Sequence, residues 1–268
     1  MPGLSMTTPG MWTAILLAGQ RPGIDPLAAA FGQASKALVR VDGEAMLSRV
    51  ARTLLGCPEV DRVVIVAQAP ETLIAAGDTA WLASEARVAL AASDSGIATS
   101  VAAVAGSTLA PWPVLVTTAD HPLLTEEMVG QFIAESAGAD VAFAVVERRV
   151  LLASYPDNLR TWLRFRGGAY SGANLFALGG PRARAALALW SGVERDRKTG
   201  WRLLLKLGPL LLAGAATRTL TLAGAARRLG ERLGLDAQAV VLPQAEAAID
   251  VDKPSDHVLA SRILAARR

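Results

Sequence analysis

Ala14-Ile15-Leu16-Leu17 breaks at once into Ala18-Gly19-Gln20-Arg21-Pro22-Gly23, and Ser35-Lys36-Ala37-Leu38 follows after a further stretch. Four uniformly apolar residues are too few for an amphipathic helix. They fit a strand buried on both faces of a parallel sheet. Ala18 and Gly19 carry a methyl group and nothing, so the backbone there can approach a ligand closely. Free N–H groups in such a loop form an anion cradle, to which Arg21 and Lys36 add full positive charge. A Gly/Pro turn bearing two solvated basic residues accounts for the same segment, because short motifs have many accidental matches. Two other phosphate loops are excluded: Gly-x-x-x-x-Gly-Lys-Ser/Thr does not occur here, and no Gly-x-Gly-x-x-Gly follows the first strand. Lys36 lies well downstream of Gly19, which suits a flap over a ligand better than a tight loop.

Strands and helices then alternate, as in a parallel sheet with crossover connections. Ala37-Leu38-Val39 reads as a short extended piece. Met46, Leu47, Val50, Ala51, Leu54 and Leu55 recur at helical spacing. Arg62 to Ala67, Pro113 to Thr118 and Asp140 to Val146 read as strands, with Val88 to Leu90 as a further short one. Helices are expected from Thr79 to Ala86, from Ile97 to Ala105 behind a Ser93-Asp94-Ser95-Gly96 cap, and from Thr125 to Ser136. The second half is less regular. It predicts a Gly-rich strand over Tyr170 to Leu178, helices over 181–190, 201–212 and 223–233, and an alternating stretch over Thr217 to Leu222. It closes with strands at Val240 to Leu242 and Ala248 to Val251 and a last helix from Ser255. The 268 residues suffice for one α/β domain, 1–268, with a basic, partly helical insertion at 147–235.

Charge singles out that insertion. Residues 147–232 carry 16 Lys/Arg against 5 Asp/Glu, a balance of +11, while the remainder stands at −8. Such asymmetry points to an anionic partner at the middle segment, with a solvated basic surface as the plain alternative. Leu203 to Ala216 is apolar but interrupted by Lys206 and Pro209, too broken for a transmembrane helix. Beside so much positive charge it admits weak contact with a membrane surface, or it is a core helix. One cysteine, Cys57, excludes an internal disulfide framework and fits a reducing compartment. Residues 1–10 lack a basic n-region and apolar core, so they read as a tail and the protein as cytoplasmic.

Three acidic positions carry chemistry. Asp120 stands at the carboxyl end of an apolar strand, where open α/β sheets bind ligands, and Pro122 redirects the chain behind it. A carboxylate there suits a magnesium–phosphate complex, and a turn-capping Asp is its bland counterpart. Asp250 and Asp252 alternate along an extended segment and would share a side. Two carboxylates held close call for a cation between them, so one of the pair is read as a metal ligand.

Taken together, Leu17-Ala18-Gly19…Lys36, Asp120-x-Pro122-Leu123-Leu124 and Ile249-Asp250-Val251-Asp252-Lys253-Pro254-x-Asp256 resemble the MobA-like nucleotidyltransferases. The middle of the chain resembles them only through Tyr170-Ser171-Gly172-Ala173-Asn174-Leu175-Phe176. The family's usual Gly-x-Gly-x-Arg/Ser-x-Arg-Met loop is here Gly19-Gln20-Arg21-Pro22-Gly23 with a longer run before Lys36. The resemblance implies a GT-A-like, Rossmann-like α/β fold of three layers, its sheet mixed but mostly parallel. It implies that Leu17, Ala18, Gly19, Gln20 and Lys36 line the nucleotide, with Ser100 near its base. Asp120 and Asp250 or Asp252 would hold Mg²⁺, and Lys36, Arg21 and Asp120 would be the catalytic set. Gly172, Asn174, Arg197 and Lys198, with Arg160, Arg164, Arg166 and Arg202 nearby, are the expected acceptor contacts.

The implied reaction moves a nucleotidyl group from an NTP, CTP or GTP, to a phosphorylated small molecule, releasing pyrophosphate. Sugar, polyol or alcohol phosphates and a cofactor precursor all fit as acceptor; no nucleic acid is implied. The acceptor phosphate is already anionic, so the near absence of histidine is no obstacle. Two other readings use the same residues. A GT-A glycosyltransferase usually carries Asp-x-Asp after its central strand, where this chain has Thr118-Ala119-Asp120. A non-catalytic nucleotide-binding regulator would have little use for Lys36, Asp120 and the Asp250/Asp252 pair together.

Overall fold

Among the described residues, ten strands form in chain order: β1 (Trp12–Leu17), β2 (Arg40–Val41), β3 (Glu44–Ala45), β4 (Val60–Ala67), β5 (Val88–Ala92), β6 (Val114–Thr118), β7 (Val141–Glu147), β8 (Leu163–Phe165), β9 (Gly168–Leu178) and β10 (Ala237–Leu242). They are those of a computed structural model that describes residues 11–20, 23–75, 77–93, 96–195 and 219–268. Eight strands make one sheet in the order β10-β7-β9-β6-β1-β4-β5, with β8 paired to β9; β2 and β3 form a small separate ribbon. β1 is parallel to β4 and β6, and β4 to β5. β9 runs antiparallel to both β6 and β7, and β7 is parallel to β10. The sheet is therefore mixed and mostly parallel, as expected.

Side-chain alternation along the central strands explains the layers. Ala14 and Leu16 of β1, with Val63 and Ile65 of β4, face a core shared with the helices Met46–Gly56, Glu126–Glu135 and Pro254–Ala266. Ile15, Val64 and Val66 point the other way, against Val101 and Val104 of the helix Ile97–Val104 and Leu187 of the helix Arg184–Arg195. Both faces of the sheet are covered, which is why its strands read as continuous apolar runs. The helix 46–56 buries the predicted stripe, with Leu47 and Leu54 fully enclosed. Truncating either to alanine costs about 2–5 kcal/mol.

Four expectations about local structure fail. Ala37–Val39 is not extended: Lys36–Leu38 is a single 3-10 turn, capped by the Ser35 hydroxyl, which accepts from the Ala37 N–H. The 79–86 stretch forms a 3-10 helix over Gly77–Ala83. Thr221 is not part of an alternating strand but caps the helix Leu222–Leu233, its hydroxyl accepting from Gly224 N at 3.1 Å. Ala248–Val251 makes no strand either. Ala245–Ala248 is a 3-10 turn, and Ile249 and Val251 are buried in coil pinned by Val251 N donating to Asp120 O at 2.8 Å. Short apolar runs signal burial but do not distinguish a strand from any other enclosed segment. The predicted helix over 201–212 lies outside the described residues.

Candidate active site

β1 and β6 end together, Leu17 opposite Thr118, and the pairing continues as Ala119 N donates to Leu17 O. The two loops beyond them, one leading to Lys36 and the other to Asp120, therefore emerge at the same end of the sheet. Carboxyl ends of parallel strands are the ligand side of such folds. The segment after Ile249 is brought alongside by the Val251–Asp120 backbone bond. Three sequence-separated segments thus meet in one place.

Lys36 is the hub. Its Nζ donates to Asp120 Oδ2 at 2.6 Å and to Asp252 Oδ1. Thr118 Oγ1 donates to the other Asp120 oxygen, fixing that carboxylate from behind. Burial alone would pull the Lys36 amine down, but the Asp120 and Asp252 carboxylates outweigh it and hold its pKa above the ordinary value. Lys36 is thus a fixed cation at neutral pH. Asp252 remains open, its side chain 62% exposed against 22% for Asp120.

Asp250 belongs to a second set. Arg160 Nη1 donates to Asp250 Oδ1, and Arg160 Nη2 to the Asp250 carbonyl at 3.2 Å. Asn174 Nδ2 donates to Asp250 Oδ2 at 3.2 Å. Asn174 can do so because β9 bulges. Phe176 faces Phe143 and Gly172 faces Val145, so three residues of β9 oppose one of β7. Asn174 takes the left-handed conformation there, φ +48, which asparagine tolerates better than most residues, and the bulge aims its side chain out of the ladder. Burial raises the Asp250 pKa and Arg160 more than reverses this, leaving the carboxyl below the usual carboxylate range.

Oxygens of Asp120, Asp250 and Asp252 lie within 4.8 Å of one another. Three carboxylates against Lys36 and Arg160 leave the cluster one negative charge in excess. Hard oxygen donors in that number suit a small divalent cation. The two aspartates do converge, though through a coil and not, as expected, through alternation along a strand. The buried His121 ring sits beside them, and burial holds it below its ordinary pKa. It is neutral and adds no charge.

The first loop is tied to the end of β4 by an unexpected clamp. Gln68, just after β4, accepts from Gln20 N at 3.1 Å and donates to Gln20 O at 3.0 Å. A Cβ on Gly19 would stand 3.1 Å from the Gln68 amide, so glycine lets clamp and loop lie together. Ala18 is buried, Leu17 and Gln20 are half-buried and Gly19 is exposed. Ser100 is buried in the first turn of the helix 97–104, its Oγ donating to Gly96 O at 2.7 Å. Gly172 is exposed on the bulged strand. Arg21, Arg197 and Lys198 lie outside the described residues.

Sequence reasoning missed Gln68, Thr118 and Glu194. The first two obey one rule: each is a polar residue at the carboxyl end of an apolar parallel strand. Glu194 gave no such signal. Its carboxylate accepts from Ile97 N at 2.7 Å and Ala98 N at 2.9 Å, capping a helix whose N-cap, Gly96, offers no side-chain hydrogen bond. This cap comes from 97 residues downstream, and Asp94 and Ser95 of the expected cap lie outside the described residues.

Residues 14–207 match the MobA-like NTP transferase domain. A comparison with curated protein sequences gave no match. Among solved structures, a hypothetical transferase from Thermus thermophilus is 30% identical, with 92% of this chain and 99% of that one covered and a TM-score of 0.75. The 4-diphosphocytidyl-2C-methyl-D-erythritol synthase of Anaerococcus prevotii DSM 20548 is 12% identical over 96% of each chain, TM-score 0.57. A CMP:2-keto-3-deoxy-manno-octonic acid synthetase complexed with CTP is 14% identical over 97% of this chain and 100% of its own, TM-score 0.57. The last two likenesses establish a shared fold. The match over 14–207 places this chain in the MobA-like NTP transferase family, as a nucleotidyltransferase.

Proposed function

We propose that this nucleotidyltransferase uses a magnesium-bound NTP, CTP in the first instance and GTP next, to nucleotidylate a phosphorylated small molecule in the cytoplasm. The observation that carries the reading is Lys36 bridging Asp120 and Asp252 at the carboxyl ends of β1 and β6, with a third carboxylate within 4.8 Å. CTP is favoured because the synthetase of the same fold is complexed with that nucleotide. The buried, unpaired Cys57 accords with a reducing compartment.

Asp120 and Asp252 would hold Mg²⁺, because the one charged partner they share is the single amine of Lys36, whereas Asp250 is gripped by Arg160 and Asn174. When bound, the ion neutralises charge on the triphosphate oxygens. Lys36, freed from its carboxylates, turns its ammonium to the phosphates. Leu17, Ala18, Gly19 and Gln20 form the floor on which the nucleotide lies, with Ser100 near the base; Arg21 is assigned to the nucleotide from the sequence alone. Asn174, Gly172 and Arg160 face the acceptor, and Arg197 and Lys198 are assigned to it from the sequence alone. An acceptor phosphate oxygen attacks the α-phosphorus; the new P–O bond forms as the α–β bridging bond breaks, and pyrophosphate leaves with the electron pair. No side chain must take a proton. Positioning and charge stabilisation supply the rate.

The test is pyrophosphate release across four NTPs and a panel of sugar, polyol and alcohol phosphates, each with its dephosphorylated counterpart. Release with one NTP and only with phosphorylated acceptors is expected. Release that ignores the acceptor phosphate, or sugar transfer from a nucleotide sugar without release, overturns the reading.

A further inference from the structure

A cavity of about 400 Å³ is walled by Asp42, Arg49, Thr53, Pro122, Arg267 and Arg268, among others. None of Lys36, Asp120, Asp250 and Asp252 lines it. Three guanidinium groups converge there, and they differ in how well their charge is met. Arg268 is satisfied by Asp42, 2.6 Å from its Nη2. Arg49 has Glu44 at 3.5 Å, but that carboxylate is shared with Arg52 at 3.0 Å and with the Ser48 hydroxyl at 2.8 Å. The Arg49 Nε is shielded from solvent and has no hydrogen-bond partner among the described residues. Arg267 donates only to a neutral group, Leu123 O at 3.2 Å; among the described residues no carboxylate comes within ion-pair distance of it.

Four arginines therefore stand against two carboxylates in and around this cavity. Arg49 donates to Val41 O at 3.3 Å and shares its carboxylate with Arg52, and Arg267 meets only a carbonyl, so the guanidinium charge here is under-compensated. Arginine's planar fork matches the oxygens of a phosphate group. The volume exceeds that of an inorganic ion and falls in the range of small-metabolite sites. We propose that this cavity binds a small phosphorylated metabolite, its phosphate seated between Arg49 and Arg267, at a site separate from the nucleotidyl-transfer cluster. The site is built from its own residues and does not depend on which reaction the cluster performs.

The probe is inorganic phosphate, titrated at constant ionic strength into the full chain, with the apparent Kd read from Tm against concentration. The Lys36→Ala background removes the main phosphate contact of the other site. Saturable stabilisation should persist in that background. Adding Arg49→Gln or Arg267→Gln should raise the Kd about tenfold, the loss expected for one charge-assisted hydrogen bond. Arg49→Lys should lie between. Arg267 is exposed, so its variant tests the site even if Arg49→Gln does not fold. Stabilisation that is absent, that vanishes with Lys36→Ala alone, or that is unchanged by Arg267→Gln overturns the proposal.

Discussion

The acidic cluster has two sides built in different ways. Lys36 arrives on a 3-10 turn beyond a parallel strand and bridges two aspartates, one of them 62% exposed. Arg160 and Asn174 come from the second half of the chain and close on Asp250, with Arg160 and Asp250 only 15% and 20% exposed. One side is a single amine shared between two carboxylates. The other is a fork plus an amide gripping one carboxylate, with a strand bulge behind it. Where partners can be exchanged, a metal–nucleotide complex can enter; where they are locked, the structure provides a wall. On the proposed function, the nucleotide belongs to the first side and the acceptor to the second.

The largest effect that could break this division is loss of the hub. Lys36→Ala and Asp120→Asn should each lower kcat by about 10²–10³, roughly 3–4 kcal/mol, with the fold intact by circular dichroism. Retained turnover in either would remove the first side from the chemistry. Next is the contrast between the two aspartates: Asp252→Asn should raise the Mg²⁺ concentration needed for half-maximal rate by about tenfold, whereas Asp250→Asn should act mainly on acceptor KM. Equal metal effects would erase the distinction.

Stability sharpens it further. Asp250 has a folded pKa below its usual 3.8, so its contribution is present above that value and lost as pH falls through the folded pKa. Urea unfolding of wild type should weaken below pH about 4 more steeply than that of Asp250→Asn. Arg160→Ala, which strands a mostly buried carboxylate, should cost about 2–3 kcal/mol at neutral pH, and Asp250→Asn in the same chain should restore part of it. Smallest of all is Cys57. Burial, aided by Glu126 and Glu59, pushes its thiol up to about 12, so iodoacetamide at pH 8 should leave both labelling and activity unchanged.

How much of this could be read from residues alone tracks the same division. The Lys36 side was legible because parallel strands announce themselves as apolar runs, and the polar residues past their carboxyl ends can be named: Lys36 and Asp120. The Asp250/Asp252 pair was found, but for an incomplete reason. The segment is buried coil, and its two carboxylates part to different cations. The Arg160 side was blurred, since Arg160 looked like one of many basic residues and its carboxylate partner is 90 residues away. The bulge that aims Asn174 depends on pairing with β7, which no local pattern encodes. Glu194, capping a helix from across the fold, was beyond reach for the same reason.

The division is tested most directly without any acceptor, by calorimetric titration of CTP into the protein with and without Mg²⁺. The account predicts Mg²⁺-dependent binding in wild type, kept in Arg160→Ala and lost in Lys36→Ala and Asp252→Asn. Binding that survives Lys36→Ala but fails in Arg160→Ala would contradict it.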